Sequence, residues 1–390
     1  MLMEGLTRRE TLARMLGVAG AAAFGIRSSD AQGVSAPVGD GAQLRELGMK
    51  LSEQQRAAGV SFLKRHASVD IHAHPGRFFL KGVLDPTPTT RAFGEPFEAA
   101  AIADLNAGNV SAALFSAVAD MRLLEMTPSQ GLHAARDFQP GEAYADYRRQ
   151  LGELKALAAS PGLTQGLTPA DISTAHAQHK SAAVFAVEGG DFLEADLDRV
   201  HEAFHDGVRA ITLVHYHVNQ IGDIQTEAPI HNGLTALGKS IVAEMNKAGI
   251  LIDLAHATFD VAKDVIEVSA KPVMVSHTNL ITHAASHPRL ISREHAKLVA
   301  AGGGIIGSWP SGIGQATFAD YVDSILRLID VVQIDHVAIG TDMDANFKPV
   351  LRSYRDWGLI PAALLARGLR DGEVAKVMGA NFQRVFKANR

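Results

Sequence analysis

The sequence predicts an α/β chain closed into a (β/α)8 barrel of the TIM-barrel type. Three observations carry that expectation. Eight short apolar runs, flanked by Gly, Pro or Asn, recur along the chain. Longer amphipathic stretches separate them. Six of the eight runs end in His, Glu or Asp, residues able to bind metal or move a proton.

The runs are Ser68–His74, Val110–Val118, Ala182–Glu188, Val208–His215, Ile250–His256, Pro272–His277, Gly304–Trp309 and His336–Asp342. They are near-continuously apolar, as parallel strands buried on both faces are. Asp196–Gly207, Gly233–Gly249, Ser292–Ala301 and Phe318–Val332 read as helices; in the second, Leu237, Ile241 and Met245 stand four apart on one face. Strands alternating with helices call for a parallel sheet. Eight such units close it, with the active site at the carboxyl ends of the strands. A doubly wound open sheet would instead spread the end residues along a crevice. Arg122–Ser181 is long for one connection and predicts an added loop or helix pair, with Glu142–Ala159 its clearest helical part. Asp371–Phe386 predicts one or two closing helices. No internal repeat divides the chain, so residues 67–390 are expected to form one catalytic barrel, preceded by a linker and helix over 32–66.

Composition narrows the chemistry. The 390 residues hold 37 Lys and Arg against 42 Asp and Glu, a net charge of −5, which gives no electrostatic case for nucleic acid as partner. There is no cysteine, so thiolate zinc sites, disulfides and cysteine nucleophiles are excluded. Seventeen histidines remain to bind any transition metal alongside carboxylates.

The first 31 residues read as an export signal rather than fold. Thr7–Leu12 contains the Arg8-Arg9 pair of a twin-arginine pattern, an apolar run follows from Met15 to Ile26, and Ser29–Ala31 offers a small-residue cleavage site. That run is about a dozen residues, where a spanning helix needs roughly 20. The expected destination is the periplasm or the exterior of a bacterium.

The strand ends suggest a specific reaction. His72 and His74 lie two apart and so face the same side of an extended strand, where neutral imidazoles can hold a divalent cation. His256 and His277 end successive runs and could hold a second ion, with Glu188 able to bridge the two. Paired metals can share a water, lower its pKa and deliver hydroxide to a carbonyl carbon. Asp342, ending the last run, could accept the water's proton and return it to a leaving amine. His66, His133, His176, His179, His201, His205 and His295 fall in helical or loop segments and are expected to be solvated, whereas His217, His231, His283 and His287 fall near the expected mouth.

Longer stretches carry a resemblance. "VEGGDFLEADL", "GVRAITLVHYHVNQIGD", "GLTALGKSIVAEMNKAGILIDLAHA", "KPVMVSHTNL", "HPRLIS", "DHVAIGTDMD" and "VMGANFQRVF" occur in that order. The chain resembles the renal (membrane) dipeptidases, zinc-dependent members of the amidohydrolase superfamily. The resemblance implies a barrel of the metal-dependent hydrolase type, two zinc ions, a dipeptide as the small-molecule substrate, and often a homodimer. By motif, His72 and Glu188 would bind the first zinc, Glu188 bridging, with His256 and His277 on the second. His215 would polarise the scissile carbonyl, Arg289 would pair with the substrate's terminal carboxylate, and Asp342 would transfer the proton.

Two positions depart from the family pattern. The family usually has HxD on the first strand, whereas this chain has His72-Ala73-His74, which exchanges an anionic ligand for a neutral one. The loop "DMDANFKP" lacks the usual Gly after its second Asp. These departures keep open an amidohydrolase acting on N-acyl amino acids, lactones or cyclic amides, and a barrel that binds without turnover. The absence of a Lys in "ITLVHYH" argues against metals bridged by a carboxylated lysine.

Overall fold

The computed structural model describes residues 47–282 and 286–390. The export signal, the chain up to residue 46 and His283 lie outside them.

The chain begins with α1 (Glu53–Arg65), whose Ser52 and Gln55 form a capping box. β1 (Val69–Ala73) follows, then α2 (Pro88–Phe93), α3 (Glu98–Ala107) and β2 (Ala112–Val118). The long segment after β2 holds two helices, as the expected helix pair would, and adds strands to them. It opens with an antiparallel hairpin, β3 (Leu124–Thr127) and β4 (Gly131–Ala134), before α4 (Glu142–Ala158), β5 (Leu163–Gln165) and α5 (Pro169–Ala177). The hairpin's short strands are half-exposed and lack the apolar run that flags a buried strand.

Strand and helix then alternate: β6 (Ser181–Glu188), α6 (Asp198–His205), β7 (Val208–Thr212), α7 (Ala236–Ala248), β8 (Leu251–Asp253), α8 (Phe259–Val268), β9 (Met274–Thr278), α9 (Arg293–Ala301), β10 (Ile305–Ser308), α10 (Phe318–Val332) and β11 (Val337–Ile339). Helices α11 (Leu359–Ala366), α12 (Asp371–Ala375) and α13 (Asn381–Ala388) complete the chain. Threonine or serine hydroxyls cap α7, α8, α9 and α10, marking each helix start locally.

Eight parallel strands run in the order β1-β2-β6-β7-β8-β9-β10-β11. The ring closes just past β11: the Asp342 amide donates to the His72 carbonyl at 2.8 Å, and the His74 amide donates to the Met343 carbonyl at 2.9 Å. The predicted (β/α)8 barrel is therefore the observed one. β5 adds a short outer strand beside the start of β6, whose far end pairs with β7.

Side-chain alternation divides the apolar residues. Val69, Ile71, Leu114, Val184, Leu251, Met274 and Ile305 form one cluster with Phe382, Val385 and Phe386 of α13. Val275, Ile306 and Ile339 join the larger cluster between strands and helices. Burying such a side chain contributes about 1.5–3 kcal/mol.

One buried carboxylate ties the closing seam. Asp70 accepts hydrogen bonds from the Thr341 hydroxyl and amide, the Tyr354 hydroxyl at 2.9 Å and the His72 amide. Burial pushes its carboxyl up to about 6 despite those donors.

Candidate metal centre

The six strand-end residue types converge because the strands bend where they end. The pairing of β1 with β2 slips by one residue between Asp70 and Ala73, and that of β9 with β10 slips between Val275 and Thr278. Such bulges re-aim the side chains that follow them. They turn His72, His74 and His277 toward one point, although Val69, Ile71 and Met274 before them belong to the apolar cluster. His256 and Asp342, each three residues beyond a strand, take left-handed backbone angles of φ 67° and 55°. Non-glycine residues in that region are held by their surroundings and concentrate at functional sites.

Glu188, the last residue of β6, is the centre. Its Oε1 lies 3.3 Å from His72 Nε2, 3.2 Å from His256 Nε2 and 3.5 Å from His277 Nε2. Its Oε2 lies 3.4 Å from His74 Nε2 and 3.5 Å from His215 Nε2. The Nε2 atoms of His72 and His74 stand 3.2 Å apart, and those of His256 and His277 3.3 Å apart. All six side chains are buried. Two overlapping groups, His72–His74–Glu188 and Glu188–His256–His277, each bring their ligand atoms within 4.8 Å of one another.

These spacings suit divalent ions. Donors at 2.0–2.1 Å from a tetrahedral ion stand about 3.4 Å apart, close to the observed separations. His74 Nδ1 lies 2.8 Å from the Ser116 carbonyl, which can only accept, so Nδ1 carries a proton and Nε2 is the nitrogen left to face the centre. The residues present fit a metal pair.

The electrostatics agree. Burial alone would raise the Glu188 carboxyl, but the His215 and His72 rings beside it hold it well below the usual range. Burial, together with Arg289 and His215, holds His256 well below the ordinary histidine value; burial and His72 do the same for His277. Both are neutral rings, as ligation requires. His74 behaves oppositely: burial opposes its charge, but Asp342 and Glu188 outweigh it and raise it to about 10.

His215 stands beside the ligand groups, three residues past β7. Its Nδ1 donates to Asp120 Oδ1 at 2.6 Å, and Asp120 Oδ2 accepts the amides of Tyr216 and His217. Burial opposes a charged ring here too, but Asp120 and Glu188 raise it overall. Asp120 is fully buried, and nothing in its local sequence marks it. Asp342 lies across the centre, its Oδ1 3.3 Å from His74 Nε2.

Arg289 is a fully buried cation at the edge of the centre. Nη1 donates to Gln225 Oε1 at 2.6 Å, Nη2 lies 3.0 Å from His277 Nε2, and the guanidinium sits 5.5 Å from the Trp309 ring centroid. Among the described residues no carboxylate pairs with it. Gln225 is a further residue that sequence reasoning missed.

The remaining mouth histidines have local partners. His217 Nδ1 pairs with Asp191 at 2.6 Å, His231 Nε2 contacts the Asn219 carbonyl, and His287 Nδ1 accepts the Arg289 amide. His295 corrects an expectation: it is buried rather than solvated, its ring against Phe259, because α9 turns that face inward. In the loop lacking the usual Gly, Asp344 itself adopts φ 72° and accepts the Gly76 amide at 2.7 Å, pinning the loop after β1.

Fold and site together define a barrel hydrolase of the metal-dependent kind. The description of the membrane dipeptidases (Peptidase family M19) matches residues 62–390, and the chain belongs to that family. It is 27% identical over 294 residues to dipeptidase verJ of Clonostachys rogersoniana, covering 72% of this chain and 74% of that one. It is 32% identical over 220 residues to dipeptidase tcpJ of Claviceps purpurea (strain 20.1), covering 53% of this chain and about half, 51%, of the relative. Two solved structures share the fold. An amidohydrolase from Pseudomonas aeruginosa superposes with TM-score 0.66 at 22% identity, over 85% of this chain and 98% of its own. A metallo peptidase from Rhodobacter sphaeroides, liganded with a phosphinate mimic of L-Ala-D-Ala, gives 0.69 at 18% identity, over 83% and 99%.

Proposed function

We propose that this protein is a zinc dipeptidase that hydrolyses the peptide bond of dipeptides at a dinuclear centre. The observation that carries the reading is the position of Glu188, within 3.5 Å of an imidazole nitrogen from each of His72, His74, His256 and His277. His72, His74 and Glu188 would hold one ion, and Glu188, His256 and His277 the other. When bound, the two ions supply Lewis acidity and a hydroxide nucleophile at neutral pH.

The chain's own groups do the rest. Arg289, a buried guanidinium with no acid partner among the described residues, pairs with the substrate's terminal carboxylate and so fixes the scissile bond. His215, whose charged form Asp120 favours, donates from Nε2 to the carbonyl oxygen as negative charge develops there. Asp342 accepts the proton of the attacking water and returns it to the leaving amine. The relative bound to a mimic of L-Ala-D-Ala supports a dipeptide with a D-residue at its carboxyl side as a member of the substrate class.

The test is a panel of dipeptides, L,L and L,D, offered to the purified chain with its metal content measured and with chelator added. Chelator-sensitive hydrolysis with two ions per chain supports the reading; no hydrolysis of any member overturns it. His74 in place of the family's Asp favours a second reading, an amidohydrolase of other specificity, which faster turnover of N-acyl amino acids or lactones than of dipeptides would establish. We also propose export by the twin-arginine route, read from Arg8 and Arg9; among the described residues no helix is long and apolar enough to cross a membrane.

A further inference from the structure

We infer that Asp253 and Ser276 form one positioning device shared by both halves of the metal centre: a single hydroxyl that sets the ring tautomer of His72 and of His277. The inference rests on the dinuclear reading above for its consequence, though not for its geometry.

Ser276 Oγ lies 2.6 Å from Asp253 Oδ2, 2.9 Å from His277 Nδ1 and 3.3 Å from His72 Nδ1, while a second hydroxyl, Ser116 Oγ, stands 3.4 Å from that His72 nitrogen alone. A serine hydroxyl has one proton and two acceptor lone pairs. Asp253 accepts at both oxygens, its three other partners being donors: the Thr212 hydroxyl at 2.7 Å on Oδ2, and the amides of Ser276 and Ala255 on Oδ1. The hydroxyl proton therefore points at Asp253. Both lone pairs are left for the two imidazole N–H groups. The proton of each ring is thereby held on Nδ1, and each Nε2 faces Glu188 with its lone pair available.

An independent contact agrees for His277. Arg289 can only donate, and its Nη2 lies 3.0 Å from His277 Nε2, which must be the accepting nitrogen of that ring. The two rings lie side by side, centroids 4.0 Å apart, so one oxygen between their Nδ1 atoms can serve both. The oxygen is also fixed in place. Ser276 is fully buried, and Gly307 and Gly340 crowd its carbonyl so closely that a Cβ at either would come within 1.8 Å. His72 belongs to one half-site and His277 to the other, so loss of this hydroxyl weakens both ions together.

Two measurements on the full chain test this. In the metal-free, nitrogen-15-labelled wild type, long-range proton–nitrogen correlation spectra are expected to show protons on Nδ1 of both His72 and His277. A deprotonated Nδ1 on either ring overturns the proposal without any variant having to fold. In zinc titrations against a chromophoric chelator, Ser276→Ala is expected to lower both stepwise affinities by about 10–100-fold, as loss of such outer partners does. Ser276→Thr, which keeps the hydroxyl, should restore them, and Ser116→Ala should leave the His277 half unchanged. Weakening of one step only, or of neither, overturns it. If the wild type itself takes up fewer than two zinc ions, the dinuclear reading fails, and the ring spectra still decide the role of Ser276.

Discussion

His74 Nε2 stands 3.3 Å from Asp342 Oδ1, across the join where the last strand meets the first. The two differ in access: the His74 side chain is 1% exposed and that of Asp342 14%. Asp342 is thus the member a substrate can reach. Asp342→Asn should lower kcat by about 10²–10⁴-fold while zinc content stays at the wild-type level. Metal analysis beside steady-state kinetics checks this; loss of zinc would make Asp342 a ligand instead.

Arg289→Ala removes a buried cation whose side-chain hydrogen-bond partners among the described residues are Gln225 and His277. Binding of dipeptides with a free carboxylate should weaken by about 1.5–3 kcal/mol, as for a lost charged hydrogen bond. It should read as a raised KM. Dipeptide amides should be affected much less; equal loss on both would give Arg289 another task.

Asp120→Asn withdraws the anion that, with Glu188, outweighs burial and raises His215. The folded-state value of that ring then falls, so the charged form is lost at lower pH. The alkaline limb of kcat/KM should shift toward acid, with the deficit small at pH 5 and growing above pH 7. A uniform loss at every pH would assign Asp120 to structure alone.

Asp70 predicts a pH dependence of stability. Burial raises its carboxyl from 3.8 to about 6, so the folded chain holds that proton more tightly than the unfolded one. Its contribution is complete below about pH 4 and declines as pH rises through 6, a change of about 3 kcal/mol. Asp70→Asn cannot ionise. Urea denaturation at pH 4, 5, 6 and 7 should therefore show the variant gaining on the wild type across that window, and a constant difference would refute the assignment.

The barrel was legible because its strands are apolar throughout and carry recognisable helix caps between them. Each of the eight strand candidates overlaps an observed strand, but three observed strands stop three residues early at the carboxyl end. The run to His215 stops at Thr212, the run to His256 at Asp253, and the run to Asp342 at Ile339. The chain leaves the ladder there to point those side chains inward, and periodicity carries no record of a bend. Histidine and glutamate at strand ends were visible by residue type. Asp120, Gln225, Asp253 and Ser276 were not, since ordinary residues gain their roles only from partners across the barrel, 95 residues apart for Asp120 and His215. The β3–β4 hairpin escaped because its strands are short and half-exposed.

The peptide groups that lock the ring of strands belong to His72, Asp342, His74 and Met343, so the join and the reactive cup share the same few atoms. The cylinder cannot spring open there without scattering its own ligands. A cation held by His72 and His74 would then act as a buckle, and at a thousandfold excess over its Kd it would add about 4 kcal/mol against opening. Durability and reactivity in this protein are thus fastened at one point.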